Sequence, residues 1–313
     1  MKYTTKLITF AIIALWISTS MASNSEFFYM SVEPVRAAMG EGFPTVYAGT
    51  RASIINPSTA ALVREKHLHA SHVFLSLDRR ISCFGASIPI GGRASLAVSG
   101  IQAAVTDIDG RDTNGRHTEF LTDEINMLSF VFAFSPSPRV SAGIGVKPLF
   151  RKTGGEDASG VAFDIGTYVL FPYDLYLSLS GRNLGITQPQ GRSYGAYWSW
   201  NTDYWGDDLQ IQKDDRIPPA LSTGIGCSTL PFGIKATLGL LVIEGESAEL
   251  SGGIDFPVDH RMRIRVGGSL DNPGIGCRFL LPLDYARVEM DYTYTEGEFT
   301  GDPMHLISIS ALF

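Results

Sequence analysis

After Arg64 the chain alternates apolar with small or polar residues at every second position, and it does so in fourteen separate segments. Period two places successive side chains on opposite faces of a strand. The last segment shows it most plainly. Ile307, Ile309, Ala311 and Phe313 share one face, and Ser308 and Ser310 share the other. A strand with one oily face, ending on an aromatic carboxyl terminus behind an export signal, reads as the closing strand of an outer-membrane β-barrel.

Residues 1–22 have the build of such a signal. Lys2 and Lys6 are followed by an apolar run from Leu7, and Ser20-Met21-Ala22 supplies small residues for cleavage before Ser23. That run is too short to cross roughly 30 Å of hydrocarbon as a helix. No later run is long enough either. A membrane-spanning mature chain must therefore close into a barrel, because open sheet edges cannot face lipid. The net charge of −7 argues against nucleic acid as a partner. Cys83, Cys227 and Cys277 are odd in number and widely spaced, so neither a disulfide framework nor a metal site is indicated. Cys227 and Cys277 fall on expected lipid faces. No cofactor is expected.

The expected strands centre near 67–77, 80–90, 93–103, 124–134, 139–150, 161–171, 174–183, 219–229, 232–243, 247–257, 261–270, 275–282, 285–295 and 304–313. Each is about the 9–11 residues that a tilted membrane strand needs. Every second connection is tight and rich in Pro and Gly, as in Pro89-Ile90-Gly91-Gly92 and Leu230-Pro231-Phe232-Gly233. Three of the others are long, at 104–122, 151–160 and 184–218. Short periplasmic turns against longer outer loops are the barrel habit. They predict an all-β, antiparallel, up-and-down transmembrane barrel over 66–313, with both termini in the periplasm. Residues 23–65 precede the barrel and do not read as strands.

The lumen is expected to hold Lys235, Arg261, Arg263, Arg265, Arg278 and Arg287 against Asp164, Glu249, Asp255, Glu289 and Asp291, with Arg139, Lys147 and Arg182 beside them. Such residues could line an ion path or form a cross-strand ion network that fills a narrow barrel. Both signs on neighbouring strands favour the network. All mature tryptophans lie in one loop: Trp198, Trp200 and Trp205, with Tyr197 and Tyr204. Partner contact, interface anchoring and loop packing are all open readings. The acidic stretch Asp107–Gly115 looks faintly like a calcium loop, but its spacing misses the EF-hand pattern and a solvated turn is preferred. His69, His72 and His305 accompany no nucleophile signature, so no catalytic residue is assigned.

Val35-Arg36-Ala37-Ala38-Met39-Gly40, followed by Tyr47-Ala48-Gly49-Thr50-Arg51 and Asn56-Pro57-Ser58-Thr59-Ala60-Ala61-Leu62, resembles the amino-terminal signature of the PorV/PorQ family and its wider FadL-like relatives. Asn56-Pro57 keeps the core of that signature; Arg51 stands where an acidic residue is usual. Asp164-Ile165-Gly166, Asn183-Leu184-Gly185 and Ile217-Pro218-Pro219-Ala220 extend the resemblance over most of the chain. It implies that 23–65 folds inward as a hatch carrying Arg36, Met39, Gly40, Asn56 and Pro57. It also implies a non-enzymatic barrel serving type IX protein secretion, with outer-membrane lipid, a translocon and secreted cargo as partners. The rival expectation is a FadL-like uptake channel for small hydrophobic compounds, and an apolar inner pocket would favour it.

Overall fold

The computed structural model describes residues 28–154, 156–185, 195–201, 216–296 and 303–313. The expected signal peptide and its cleavage point lie outside them. The strands are β1 (His67–Phe74), β2 (Arg79–Ile90), β3 (Ala94–Arg111), β4 (His117–Ser137), β5 (Val140–Thr153), β6 (Glu156–Phe171), β7 (Leu175–Leu184), β8 (Ala196–Tyr197), β9 (Ser199–Asn201), β10 (Arg216–Ile217), β11 (Ala220–Cys227), β12 (Lys235–Ile243), β13 (Glu249–Pro257), β14 (Met262–Ser269), β15 (Pro273–Pro282), β16 (Arg287–Glu296) and β17 (Pro303–Leu312). Among the described residues no helix is long and apolar enough to cross a membrane.

Fourteen of these strands pair antiparallel, each with its neighbour along the chain, and β17 returns to β1 with Ala70 opposite Ile309. Lys66 and Phe313 exchange backbone hydrogen bonds of 2.9 and 3.0 Å at the seam. The sheet therefore closes and leaves no edge unpaired. Strands β8, β9 and β10 belong to the long connection between β7 and β11, where β9 adds to the end of β6.

The strand centres agree with the alternation, but two long connections shrink. β3 and β4 continue as a paired hairpin out to Arg111 and His117. β5 and β6 stay paired to Thr153 and Glu156. Polar side chains on both faces hide such extensions, which stand in water beyond the apolar belt. The acidic stretch lies in the β3–β4 hairpin. Asp112 Oδ1 accepts from the Asn114 and Arg116 amides at 2.9 Å, and Asp109 pairs with Arg111 and His117. These acids are occupied by the hairpin itself.

The outward face carries Phe130, Phe132, Ile144, Ile225, Leu250, Ile254, Ile275, Phe279, Ile307 and Ile309, all exposed. In water so continuous an apolar surface would aggregate; against acyl chains it is the solvated side. Cys227 and Cys277 sit on this face as expected. The ambiguous first strand resolves: His67 and His69 are buried toward the lumen, and His72 falls on the opposite face. Tyr173 and Phe232, at the tips of two short turns, are 96% and 90% exposed, so nothing in the protein holds their rings.

Candidate functional site

Residues 28–63 lie inside the barrel. Their helical pieces are α1 (Pro34–Met39), a 3-10 turn at Phe43–Thr45, α2 (Thr50–Ser53) and a 3-10 stretch at Pro57–Leu62. Pro34 opens α1 at a position where its missing N–H costs nothing, and Gly40 ends it at φ 67° with its amide bonded to Arg36 O at 2.8 Å. Asn56 caps the last piece, accepting from the Ser58 amide at 3.0 Å. Its amide nitrogen also donates to Thr167 O (3.1 Å) and Ser178 Oγ (2.7 Å) on the wall. One side chain thus ends a turn and pins it to β6 and β7.

The wall is fitted to this segment with glycine. A methyl group built on Gly253 would lie 2.5 Å from Ala38 O, and one on Gly239 would overlap the Gly42 backbone. Bare backbone on both sides lets inner segment and wall touch directly. α1 packs on β12–β17, the Phe43 turn on β7, β11 and β12, α2 on β1–β3, and the Pro57 stretch on β3–β6. The segment therefore meets strands around the whole circumference.

Charged side chains fasten it. Near the short-turn rim, Arg51 Nη1 lies 3.1 Å from Asp291 and its Nη2 3.0 Å from Glu289. Asp291 also holds Arg265 (2.6 Å) and Arg278 (3.0 Å). Asp255 takes Arg265 at 2.8 Å, Arg263, and the Tyr47 hydroxyl. The sequence reading named these strand residues for the lumen but not Arg51 and Tyr47, whose partners lie more than 200 positions away. The departure of Arg51 from the usual acidic residue was the available signal. A basic group there faces two wall carboxylates.

A second group lies across the lumen. Glu41 accepts from Arg36 Nε (2.6 Å) and Ser222 Oγ (2.6 Å), with Arg182 at 3.4 Å. Lys147 bridges Asp164 (2.8 Å) and Asn183 (2.6 Å), and Asn183 donates to the Tyr29 hydroxyl at 2.9 Å. Asp164 therefore joins this group and not the Asp291 network.

Other members of the expected network sit elsewhere. Arg261 is exposed in the turn before β14, and Arg139 is exposed in the β4–β5 turn. The Arg261 and Met262 amides bond Asp259 and hold its carboxyl below the ordinary range. Strand alternation fails there because the chain has already left the strand. Glu249 lines a small cavity of about 40 Å³ beside Arg36 and Glu41, and makes no ion pair among the described residues. Arg287 is at the rim, 3.4 Å from Glu65 and 3.7 Å from Glu289. Lys235 faces the Tyr47 ring at 4.2 Å.

His69 lies 2.6 Å from Glu33 and 2.9 Å from Ser310 Oγ. The order resembles a hydrolase relay. However, Ser310 is 1% exposed and its hydroxyl already receives Arg51. Arg51 and His69 thus fill the space where a substrate carbonyl would have to sit.

The tryptophan loop is partly outside the described residues. Tyr204 and Trp205 are not among them, nor is the side chain of Trp200. Trp198 turns inward and meets Phe28 with ring centroids 6.1 Å apart, and Tyr197 pairs through its backbone with Arg216. Phe28, the first described residue, thus lies at the loop rim, where the Tyr29 hydroxyl bonds Pro218 O. Phe313 ends at the opposite rim. The amino terminus, expected on the same side as Phe313, lies outside the described residues.

The lumen also changes character along its axis. On β1–β4, β12 and β17, Val73, Ile81, Ile101, Met127, Leu241 and Leu306 form a buried apolar wall in the loop half. Phe28, Val32, Val35, Met39 and Phe43 of the inner segment pack into it. The Asp291 network occupies the short-turn half.

No family model and no curated protein matches the chain. Solved structures do. The Ralstonia pickettii toluene transporter TbuX aligns over 89% of this chain and 96% of its own, at 11% identity and TM-score 0.56. The Pseudomonas putida toluene transporter TodX aligns over 89% and 95%, at 11% identity and TM-score 0.58. A Pseudomonas aeruginosa FadL homologue covers 91% and 98%, at 8% identity and TM-score 0.56. At such identities the likeness is one of fold. It supports the FadL-like part of the resemblance and gives the PorV/PorQ part none. By fold the chain is a closed fourteen-stranded antiparallel β-barrel, similar to the FadL homologue and the two toluene transporters.

Proposed function

We propose that this barrel admits small hydrophobic compounds across the outer membrane, with residues 28–63 as its gate. The carrying observation is the apolar loop half of the lumen, filled by the chain's own Phe28, Val32 and Val35. An apolar compound entering there replaces one apolar contact by another, so displacing those side chains costs little net burial. The ionic half keeps the rest of the segment attached while its first residues move. The toluene transporters TbuX and TodX, which share this fold, support a compound of that class. No bond is made or broken in this role. The type IX reading gains no observation of its own, since Trp198 packs inward.

Toluene entry into cells of a host lacking its own hydrocarbon channels tests the reading. Cells carrying the chain should take up toluene several-fold faster than cells with an empty vector. Deleting residues 28–33 should raise the rate further. Unchanged uptake, together with co-purification of a very large translocon barrel or secreted cargo, would overturn it.

A further inference from the structure

A cavity of about 360 Å³ opens at the short-turn rim, between residues 46–51 of the inner segment, residues 62–65 leading into β1, and the walls of β1, β12, β15, β16 and β17. It is lined by Arg51, Arg64, Lys235, Arg278 and Arg287, against the carboxylates of Glu65 and Glu289. In a chain of net charge −7 this is a local reversal of sign. Arg51 and Arg278 are also held by Asp291 behind the lining, at 3.1 and 3.0 Å, so the charge left unmatched among the described residues is that of Lys235 and Arg64. Glu289 is already shared by Arg51 at 3.0 Å, Arg278 at 3.1 Å and Arg287 at 3.7 Å. Lys235 reaches only the Tyr47 ring and, at 3.5 Å, the Val46 carbonyl; no carboxylate among the described residues is within ion-pair distance. Among the described residues Arg64 bonds only the Gly92 carbonyl, at 2.5 Å.

We infer that this cavity binds a small organic oxyanion. A carboxylate or phosphate takes the position between Lys235, Arg64 and Arg287, and a short apolar body lies against Leu62, Val63 and Leu312. Guanidinium forks bind such groups through paired hydrogen bonds, and an ammonium supplies a point charge beside them. The volume falls at the small end of ligand pockets, roughly 300–1,000 Å³. The site does not rest on the uptake reading, because the apolar loop half of the lumen takes no part in it.

Calorimetric titration of the mature barrel in uncharged detergent with benzoate, phenyl phosphate and inorganic phosphate tests it. Saturable binding of benzoate or phenyl phosphate is expected, tighter than inorganic phosphate. Benzoate alone would mark a carboxylate site and phenyl phosphate alone a phosphate site. Lys235→Met and Arg64→Gln should each weaken binding about tenfold, whereas Arg116→Gln in the far hairpin should not. Arg64 is exposed and contacts little, so its variant decides the matter even where Lys235→Met fails to fold. No saturable binding, equal affinity for inorganic phosphate, or affinity unchanged in Arg64→Gln would overturn the inference.

Discussion

Asp291 receives three guanidiniums, from Arg51, Arg265 and Arg278, while fully buried. Removing one partner from a buried ionic group typically costs 3–5 kcal/mol, because the others are left uncompensated. Asp291→Ala is therefore expected to lower the temperature at which the barrel loses its fast gel migration. It should also make the inner segment sensitive to protease. Asn56→Ala removes a cap worth about 1 kcal/mol together with three bonds to the wall. Its effect on protease sensitivity should be similar in kind and smaller. A different balance holds at Tyr173 and Phe232, whose φ values of 66° and 63° are left-handed and cost an ordinary residue roughly 1–2 kcal/mol. Each follows a proline, at the turn position where glycine would be unstrained. Aromatic rings at a membrane interface can offset that cost. Tyr173→Gly should stabilise the barrel in detergent and lose that advantage in bilayers. Measuring unfolding in both media checks the sign.

At the scale of elements, the strands were legible because alternation is local: each residue's face is set by its neighbours two positions away. Val161 to Phe171 is typical, with Ile165 out and Asp164 in, as the sequence implies. From its residues alone the inner segment was legible only as something that is not strand; its inward course was implied by the family resemblance. Its contacts were not, because Arg51 with Asp291 and Tyr47 with Asp255 join distant parts of the chain. The same limit explains the glycines. Their number was plain, but that Gly239 and Gly253 touch the inner segment follows only from the closed wall. Gly253→Val should force that segment off β13. In planar bilayers its ion conductance should rise well above that of the parent barrel. Equal conductance would mean that the wall yields instead.

At the scale of the whole molecule, the segment enters from the loop rim at Phe28 and leaves at the short-turn rim where β1 begins, so it is threaded through a ring that closes last in sequence, at β1 with β17. A finished ring this full offers no room for thirty-odd residues to slide in afterwards. The wall must therefore wrap around the segment, which acts as the mandrel on which the sheet is rolled. Arg51 of α2 touches Asp291 and Glu289 of β16 and Ser310 of β17, so it ties the segment to two strands beside the seam. Arg51→Ala should slow refolding from urea into detergent more than it speeds unfolding, a ratio that stopped-flow fluorescence can read. A chain lacking residues 28–63 would face closure with no former inside it. The cell would meet that defect as failed insertion before it met any change in what passes through the pore.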